Sequence, residues 1–131
     1  MLNILTPQTL ETMGTKYAVL GLNGYSLLVR FRVCGEIVEC SVPSWSGLRD
    51  FPEKVEEVTL VVIKNSEDNF SWIFLRGTGS IIENQGWGAL FPSEHALVDP
   101  KDLYHILRIE PKRMELFDEK RGWGFRETVD L

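Results

Sequence analysis

Three stretches of this sequence combine side chains that bind anionic or flat ligands. The first contains Arg30 and Arg32, which alternate with apolar residues along a predicted strand. The second, residues 43–49 (PSWSGLR), has hydroxyls, a glycine, a tryptophan and a guanidinium. The third, residues 122–126 (GWGFR), sets aromatic rings beside a cation. Because guanidinium, hydroxyl and backbone N–H groups bind phosphate and aromatic rings provide flat contact area, these stretches indicate binding of a phosphorylated or planar molecule.

Each stretch also has a purely structural interpretation. Two arginines on one face of a strand usually belong to a solvated face, and residues 43–49 can be a capped turn whose Trp45 packs on the core. The aromatic tail can pack on its own core, on a second copy of the chain or on a planar ligand. Each of its rings can bury roughly 150–250 Å², so we do not expect it to stay loose in water.

Acid–base and metal chemistry have weak support in the sequence. No Ser/His/Asp set and no carboxylate pair has the pattern of a catalytic site, so we assign no catalytic residue. His95, His105 and the cysteines lack the paired spacing of metal ligands, so we assign no metal.

Composition limits the partners and the location. The chain has 131 residues and 44% hydrophobic residues, which predicts a single domain spanning residues 1–131. The net charge is −5 and the basic residues are scattered, which argues against nucleic acid as a partner. The longest apolar run, residues 58–63, is too short to cross a membrane. The two cysteines, Cys34 and Cys40, form no disulfide framework, so we expect a reduced, cytoplasmic protein.

The elements that must position these side chains are mostly strands. Alternating or β-branched apolar runs are joined by turn residues such as Asn23-Gly24 and Cys34-Gly35. The strand 57–63 is apolar almost throughout and is predicted to be buried on both faces. Pro111 predicts a bend between the last two strands. The predicted strands are residues 17–22, 25–33, 36–42, 57–63, 70–82, 103–109 and 113–117.

A short helix is predicted before the first strand. Thr6 suits the N-cap and Pro7 the first helical position. Leu5 and Leu10 occupy the hydrophobic-staple positions, and Gly14 suits the end of the helix. Several strands joined by short turns, with little helix, predict a small closed β-barrel or a sandwich.

The order of these features resembles the pyridoxamine 5'-phosphate oxidase-like family of FMN-binding split barrels. The resemblance lies in the short helix, the Asn-Gly hairpin, the glycine-turned third strand, the hydroxyl-rich loop, the bent strand at residues 76–79 (RGTG) and the ending RIEPKRMELFDEKRGWGFRETVDL. It implies a mainly β fold, a split barrel of about six antiparallel strands of Greek-key type with a few short helices. It also implies a homodimer that binds FMN in a groove between the subunits.

The resemblance assigns residues to the FMN site by position. Arg30 takes the place of a phosphate contact on the second strand, and Ser44 that of a phosphate-loop serine. Trp123 and Arg126 are candidates for the contribution of the tail across the dimer. The implied cofactor-binding residues are Arg30, Cys40, Ser41, Ser44, Trp45, Ser46, Arg49, Trp123 and Arg126.

Three functions follow from the resemblance. The first is an FMN-dependent oxidoreductase acting on a small-molecule redox substrate. The second is a dimeric binding or interaction protein without catalysis that has lost FMN. The third is a site for another flavin-like or a tetrapyrrole ligand in the same groove. The family commonly has a lysine after its loop serine, and here Trp45 and Ser46 follow Ser44. That departure favours the second function, whereas Arg30, Ser44 and Arg49 favour the first.

Overall fold

A computed structural model describes residues 5–22, 24–43, 54–65, 70–82 and 104–131 of the chain. Four of the proposed cofactor-binding residues, Ser44, Trp45, Ser46 and Arg49, lie outside these ranges. The described elements are a 3-10 helix Pro7–Met13, the strands β1 Tyr17–Leu22, β2 Tyr25–Cys34, β3 Ile37–Pro43, β4 Lys54–Asn65, β5 Phe70–Ile82 and β6 Tyr104–Asp118, a 3-10 turn Glu119–Arg121, and β7 Arg126–Asp130. None of the helices in these ranges has the length and apolarity needed to span a lipid bilayer.

The strands form one antiparallel sheet that closes on itself. Its order is β3-β2-β1-β4-β5-β6-β7, and an additional pairing of β3 with β6 closes a barrel of the first six of these strands. On that side, β6 pairs with β3 from Tyr104 to Ile109 and with β7 from Arg113 to Phe117. The strands therefore diverge along β6, and the prediction of a six-stranded split barrel is confirmed.

Alternating burial places one face of each strand in the barrel interior. On β1 the pattern buries Ala18, Leu20 and Leu22, and on β4 it buries Val58, Leu60 and Val62. Leu20 pairs with Leu60, Leu60 pairs with Leu75, and all three are 0% exposed. The core therefore lies inside the barrel, where the buried faces of neighbouring strands meet.

The prediction that the fourth strand is buried on both faces is wrong. Val58, Leu60 and Val62 are buried, whereas Val61 is half-buried and Ile63 is 42% exposed. The sequence pattern misled because the outer face of this strand is also apolar. The neighbours of that face on the adjacent strands are apolar as well.

The N-terminal helix begins and ends at the predicted residues, but it is a 3-10 helix. The N–H of Thr6 donates to Oγ1 of Thr9 at 3.1 Å, and Gly14 ends the helix with a φ of 71°. Leu5 and Leu10, at the staple positions, are buried with the core. The helix covers part of the barrel interior with its apolar side.

The two last predicted strands are one strand, and the bend predicted at Pro111 lies at a bulge within it. β6 runs from Tyr104 to Asp118, and its pairing with β5 shifts register between Arg76 and Gly77. Gly77 pairs with Pro111 at the shift. A Cβ on Gly77 would overlap the carbonyl of Glu110, so the bulge depends on a residue without a side chain.

Candidate functional site

The solvent side of the barrel carries an unusually apolar surface, which we call the outer face. Its members lie on β1, β2, β4, β5 and β6 and point away from the interior. Tyr17 is 51%, Leu28 71% and Ile63 42% exposed. The outer face consists of Tyr17, Val19, Leu28, Val61, Ile63, Phe70, Trp72, Phe74 and Phe117.

Strand register makes the outer face continuous. Val19 pairs with Leu28 on one side and with Val61 on the other, and Val61 pairs with Phe74. Cross-strand neighbours have Cβ atoms about 4.5–5.5 Å apart, close enough for contact. One row of apolar side chains therefore crosses β2, β1, β4 and β5 without a polar interruption.

A second row is aromatic. Trp72 pairs with Ile63 and with Phe117. The rings of Trp72 and Phe117 stack with centroids 4.8 Å apart and an interplanar angle of 16°. Phe70 meets Trp72 edge-on at 5.8 Å. The rings at this corner of the outer face are flat and already ordered. A ligand that stacks on them therefore costs little additional side-chain entropy.

Cations border the outer face. The guanidinium of Arg30 lies 5.6 Å from the ring centroid of Tyr17, and that of Arg76 lies 5.8 Å from the ring centroid of Phe74. Arg126 is the cross-strand neighbour of Phe117. Guanidinium groups over aromatic faces are attracted to the ring quadrupole, so these contacts hold positive charge at the border of an apolar surface.

Two of the predicted site residues come together on β2 and β3. The N–H of Arg30 donates to Oγ of Ser41 at 3.1 Å. Ser41 is 2% exposed, and the side of β3 that carries it faces away from the barrel interior. Arg30 is half-buried. The hydroxyl of Ser41 is thus bonded to the backbone of β2, whereas the Arg30 guanidinium lies toward Tyr17 on β1. The assignment of both residues to a phosphate site remains a prediction.

Cys40 lies on the opposite side of β3. Its cross-strand neighbours are Phe31 and Leu107, and it is fully buried in the core. Burial raises the pKa of the Cys40 thiol far above its ordinary value. The side chain therefore faces away from Arg30 and Ser41 and is an inert part of the barrel interior.

The two predicted tail residues are exposed in the single chain. Trp123 lies in the turn before β7 and is 95% exposed, and Arg126 is exposed at the start of β7. Phe125 is half-buried, with the Arg121 guanidinium 5.1 Å from its ring centroid. Within one chain the ring of Trp123 covers nothing, and the prediction that it packs at a dimer groove remains a prediction.

A buried charge cluster on β2, β3 and β6 was missed in the sequence. Glu39 is 3% exposed, and its Oε1 accepts a bond from Nε of Arg32 at 2.8 Å. Its Oε2 accepts from Nη2 of Arg108 at 3.3 Å, and Cys34 Sγ lies 3.3 Å from Oε1. A lone glutamate in the apolar strand 37–43 was the available signal. Its partners could not be read from the sequence, because Arg108 is 69 residues away.

The cluster keeps Glu39 ionised. Burial alone would raise the pKa of its carboxyl, but the hydrogen bonds of Cys34 and Arg32 and the charge of Arg32 outweigh burial and lower the pKa. A carboxyl whose pKa is lower in the folded chain stabilises the fold above its unfolded pKa, about 4.3. That contribution is lost as the pH falls through the folded pKa.

We expect the stability of Glu39→Gln to decrease less than that of wild type as the pH is lowered. Wild-type protein should lose stability between about pH 5 and about pH 2 in part because Glu39 becomes protonated, and the variant lacks that component. Urea unfolding midpoints across this range measure the difference. Glu57→Gln is the matched control, since Glu57 is 70% exposed in its pair with Arg76. Equal acid losses in wild type and Glu39→Gln would contradict this assignment.

The described residues fit a planar, anionic ligand in part. Arg30 supplies a cation, and the adjacent outer face supplies flat apolar area beginning at Tyr17. These are the groups that the phosphate and the isoalloxazine ring of FMN require from a protein. The hydroxyl of Ser41 is buried and bonded to the backbone of Arg30. The remaining predicted phosphate ligands belong to residues 44–49, outside the described ranges.

Comparisons with known proteins agree on the fold. No protein-family model matches the sequence, and no curated protein matches it. Solved structures do match. A Clostridium acetobutylicum protein related to general stress protein 26, of the pyridoxinephosphate oxidase family, has a TM-score of 0.64 at 14% identity, with 97% of each chain covered.

Two proteins of Mycobacterium smegmatis are also similar. One is a heme-binding protein with a TM-score of 0.68 at 12% identity, covering 99% of this chain, which spans 60% of that protein's length. The other is an FAD-binding protein with a TM-score of 0.60 at 10% identity, covering 88% of this chain and 95% of the other. The resemblance found in the sequence is therefore confirmed at the level of fold: this chain has the split-barrel fold of the pyridoxamine 5'-phosphate oxidase-like proteins.

Proposed function

We propose that this protein is a dimeric flavin-binding protein, with FMN as the cofactor and a small redox molecule as the substrate. The observation that carries the proposal is the position of the Arg30 guanidinium over Tyr17, at the border of the apolar outer face. Bound FMN supplies hydride or electron transfer, and the protein binds and orients it. No side chain is required as an acid or a base, which agrees with the absence of a catalytic pattern in the sequence.

The outer face supports association of two copies. Exposed apolar patches larger than a few hundred Å² are rare on monomers and mark interaction sites. Leu28 at 71% and Tyr17 at 51% exposure lie in one continuous surface. A second copy that covers this surface would also enclose a ligand bound beside Arg30, because Arg30 lies at the border of the same surface. We assign the homodimer contact to the outer face on this basis.

Arg30 is the proposed phosphate contact. A hydrogen bond to a charged group contributes about 1.5–3 kcal/mol, so loss of this side chain should weaken FMN binding by roughly tenfold or more. Riboflavin, which has the same ring and no phosphate, should bind wild type and the Arg30→Ala variant equally. The comparison isolates the phosphate contact from ring packing.

The experiment is a titration of purified protein with FMN and riboflavin, followed by flavin fluorescence. We expect the absorption bands of oxidised flavin in the purified protein, and a loss of FMN affinity in Arg30→Ala alone. Arg76→Ala is the matched control, since Arg76 also lies over a ring of the outer face and is paired with Glu57. Wild-type protein that binds neither flavin would overturn the proposal.

A second candidate function is binding of a tetrapyrrole. It is favoured by the fold similarity to the heme-binding protein of M. smegmatis. Titration with hemin, monitored by its Soret band, separates the two ligands. A Soret shift at stoichiometric hemin, with no response to FMN, would favour the tetrapyrrole. A response to neither would favour a binding or interaction protein without a cofactor.

A charge on the outer face should halve the mass of the assembly. Leu28→Asp places a carboxylate at a highly exposed apolar position of the proposed contact, where it would be buried without a partner. Sedimentation velocity measures the mass. Thr12→Asp, a substitution on the exposed side of the 3-10 helix, introduces the same charge away from the outer face and should leave the mass unchanged. An unchanged mass in Leu28→Asp would show that the copies do not associate through this surface.

We also place the protein in the cytoplasm. Cys34 is exposed and Cys40 is buried, and both are free thiols. Reduced cysteines suit a reducing compartment. Fractionation of cells that produce the protein, with antibody detection, tests this location.

A further inference from the structure

The strand β7 stands at the end of the sheet order. Among the residues that the structure describes, β7 is paired with β6 alone. Open edges are templates for pairing with another strand, because their N–H and C=O groups remain available. Because β7 is the last strand in the sheet order, its second edge can accept a strand from another molecule.

The backbone groups of the open edge can be identified from the ladder. The N–H of Leu131 donates to the carbonyl of Lys112 at 2.8 Å. In an antiparallel ladder the bonded residues alternate, so residues 127, 129 and 131 direct their backbone groups to β6. The backbone groups of Arg126, Thr128 and Asp130 point away from β6, toward the open edge.

The sequence of this edge is complementary to itself. If a second β7 lies antiparallel with Thr128 opposite Thr128, then Arg126 of one copy lies opposite Asp130 of the other, and the reverse pair forms as well. Both side chains are exposed. The same register places Phe125 opposite Leu131, which is 52% exposed. Opposite charges and paired hydroxyls stabilise cross-strand neighbours.

The remaining side chains do not oppose this register. Glu127 and Val129 point to the other side of the strand, and Val129 packs against the core. The charge of Glu127 is compensated within its own chain, since Nη1 of Arg121 lies 3.7 Å from its Oε2. Asp130 is bound by Arg113 at 3.1 Å, and with 78% exposure its carboxylate can also bind Arg126 of a second copy.

We propose that β7 is an interaction surface for a second copy of this chain, and that two β7 strands pair antiparallel about Thr128. The contact joins the two sheets edge to edge. It uses the edge of β7 and not the apolar residues of the outer face, although Arg126 borders both surfaces. A protein with both contacts therefore assembles as a dimer of dimers. The self-complementary edge argues for this partner over an extended peptide of another protein.

The test is sedimentation velocity of variants at Thr128. Thr128→Pro removes an N–H that points away from β6, so the pairing of β6 with β7 survives while the open edge is blocked. Thr128→Asp keeps the N–H and places like charges directly opposite each other. We expect both variants to have half the mass of wild type. Thr128→Val, which keeps a β-branched side chain, should have the wild-type mass.

The outer-face variant separates this inference from the proposed function. On the Leu28→Asp background, protein with the wild-type edge should sediment as a dimer, and addition of Thr128→Asp should produce a monomer. Thermal unfolding checks that each variant is folded, and Thr128→Asp decides if Thr128→Pro does not fold. Wild-type mass in Thr128→Asp would overturn the pairing of β7, whatever the result for flavin binding.

Discussion

Gly77→Ala is expected to destabilise the protein by about 3 kcal/mol or more, a large share of the roughly 5–15 kcal/mol that stabilises a typical domain. A Cβ at this position would overlap the carbonyl oxygen and carbon of Glu110 and come within 3.1 Å of Cα of Pro111. All these atoms belong to the backbone of β6, which is held by its pairing with β5. A backbone cannot rotate out of the way as a side chain can, so the bulge itself would have to open.

Gly79→Ala is the matched control for Gly77→Ala. Gly79 is on the same strand and also buried, but a Cβ there would meet side-chain atoms, Val58 Cγ2 at 2.8 Å and Leu107 Cδ1 at 2.9 Å. These side chains can shift, so the expected cost is about 1–3 kcal/mol. Chemical denaturation of both variants measures which substitution lowers the free energy of unfolding more. A smaller loss in Gly77→Ala than in Gly79→Ala would show that the bulge is tolerant and that its geometry does not require glycine.

Leu60→Ala is expected to lower the free energy of unfolding by about 2–5 kcal/mol. Leu60 is fully buried on β4 between Leu20 of β1 and Leu75 of β5. The lost methyl groups would leave a cavity in the middle of the barrel, because neighbours on both sides are fixed by strand pairing. Urea unfolding measures this loss of free energy. The dependence of the free energy on urea concentration is compared between the variants.

Leu28→Ala provides the contrast to Leu60→Ala. Both substitutions remove the same atoms from a leucine on a strand, but Leu28 is 71% exposed. At protein concentrations too low for association, the free energy of unfolding should decrease by less than about 0.5 kcal/mol, as for most surface positions. A loss in Leu28→Ala as large as that in Leu60→Ala would mean that the outer face is packed within a single chain.

The site was only partly predictable. Arg30 was recognised because a cation alternating with Leu27, Val29 and Phe31 has to lie on the solvent side of a strand. Its approach to Ser41 depends on the turn at Gly35, whose φ of 63° lets β3 return beside β2. Cys40 was predicted in the site from its position along the third strand. Because side chains alternate between the two faces of a strand, Cys40 instead points into the core.

Local patterns in the sequence determined the strands and most of the interior, whereas the choice of a barrel over a sandwich came from the family resemblance. Alternation with period two is a property of each strand alone, so Leu27, Val29 and Phe31 could be placed inside without knowledge of their neighbours. Turn residues such as Gly24 and Gly35 with positive φ determined where the chain reverses. The N-terminal helix was determined in the same way, by its cap and its glycine stop.

Tertiary structure decided which side chains meet across strands far apart in the chain. The ion cluster of Glu39 with Arg108, the row Leu28–Val19–Val61–Phe74 and the stacked rings of Trp72 and Phe117 all depend on register between strands that no local pattern encodes. Register is set by packing of the whole barrel, because a shift of one residue would exchange the interior and outer faces. The outer face, and with it the proposed surface for a second copy and a flavin, could therefore be seen only in the folded chain.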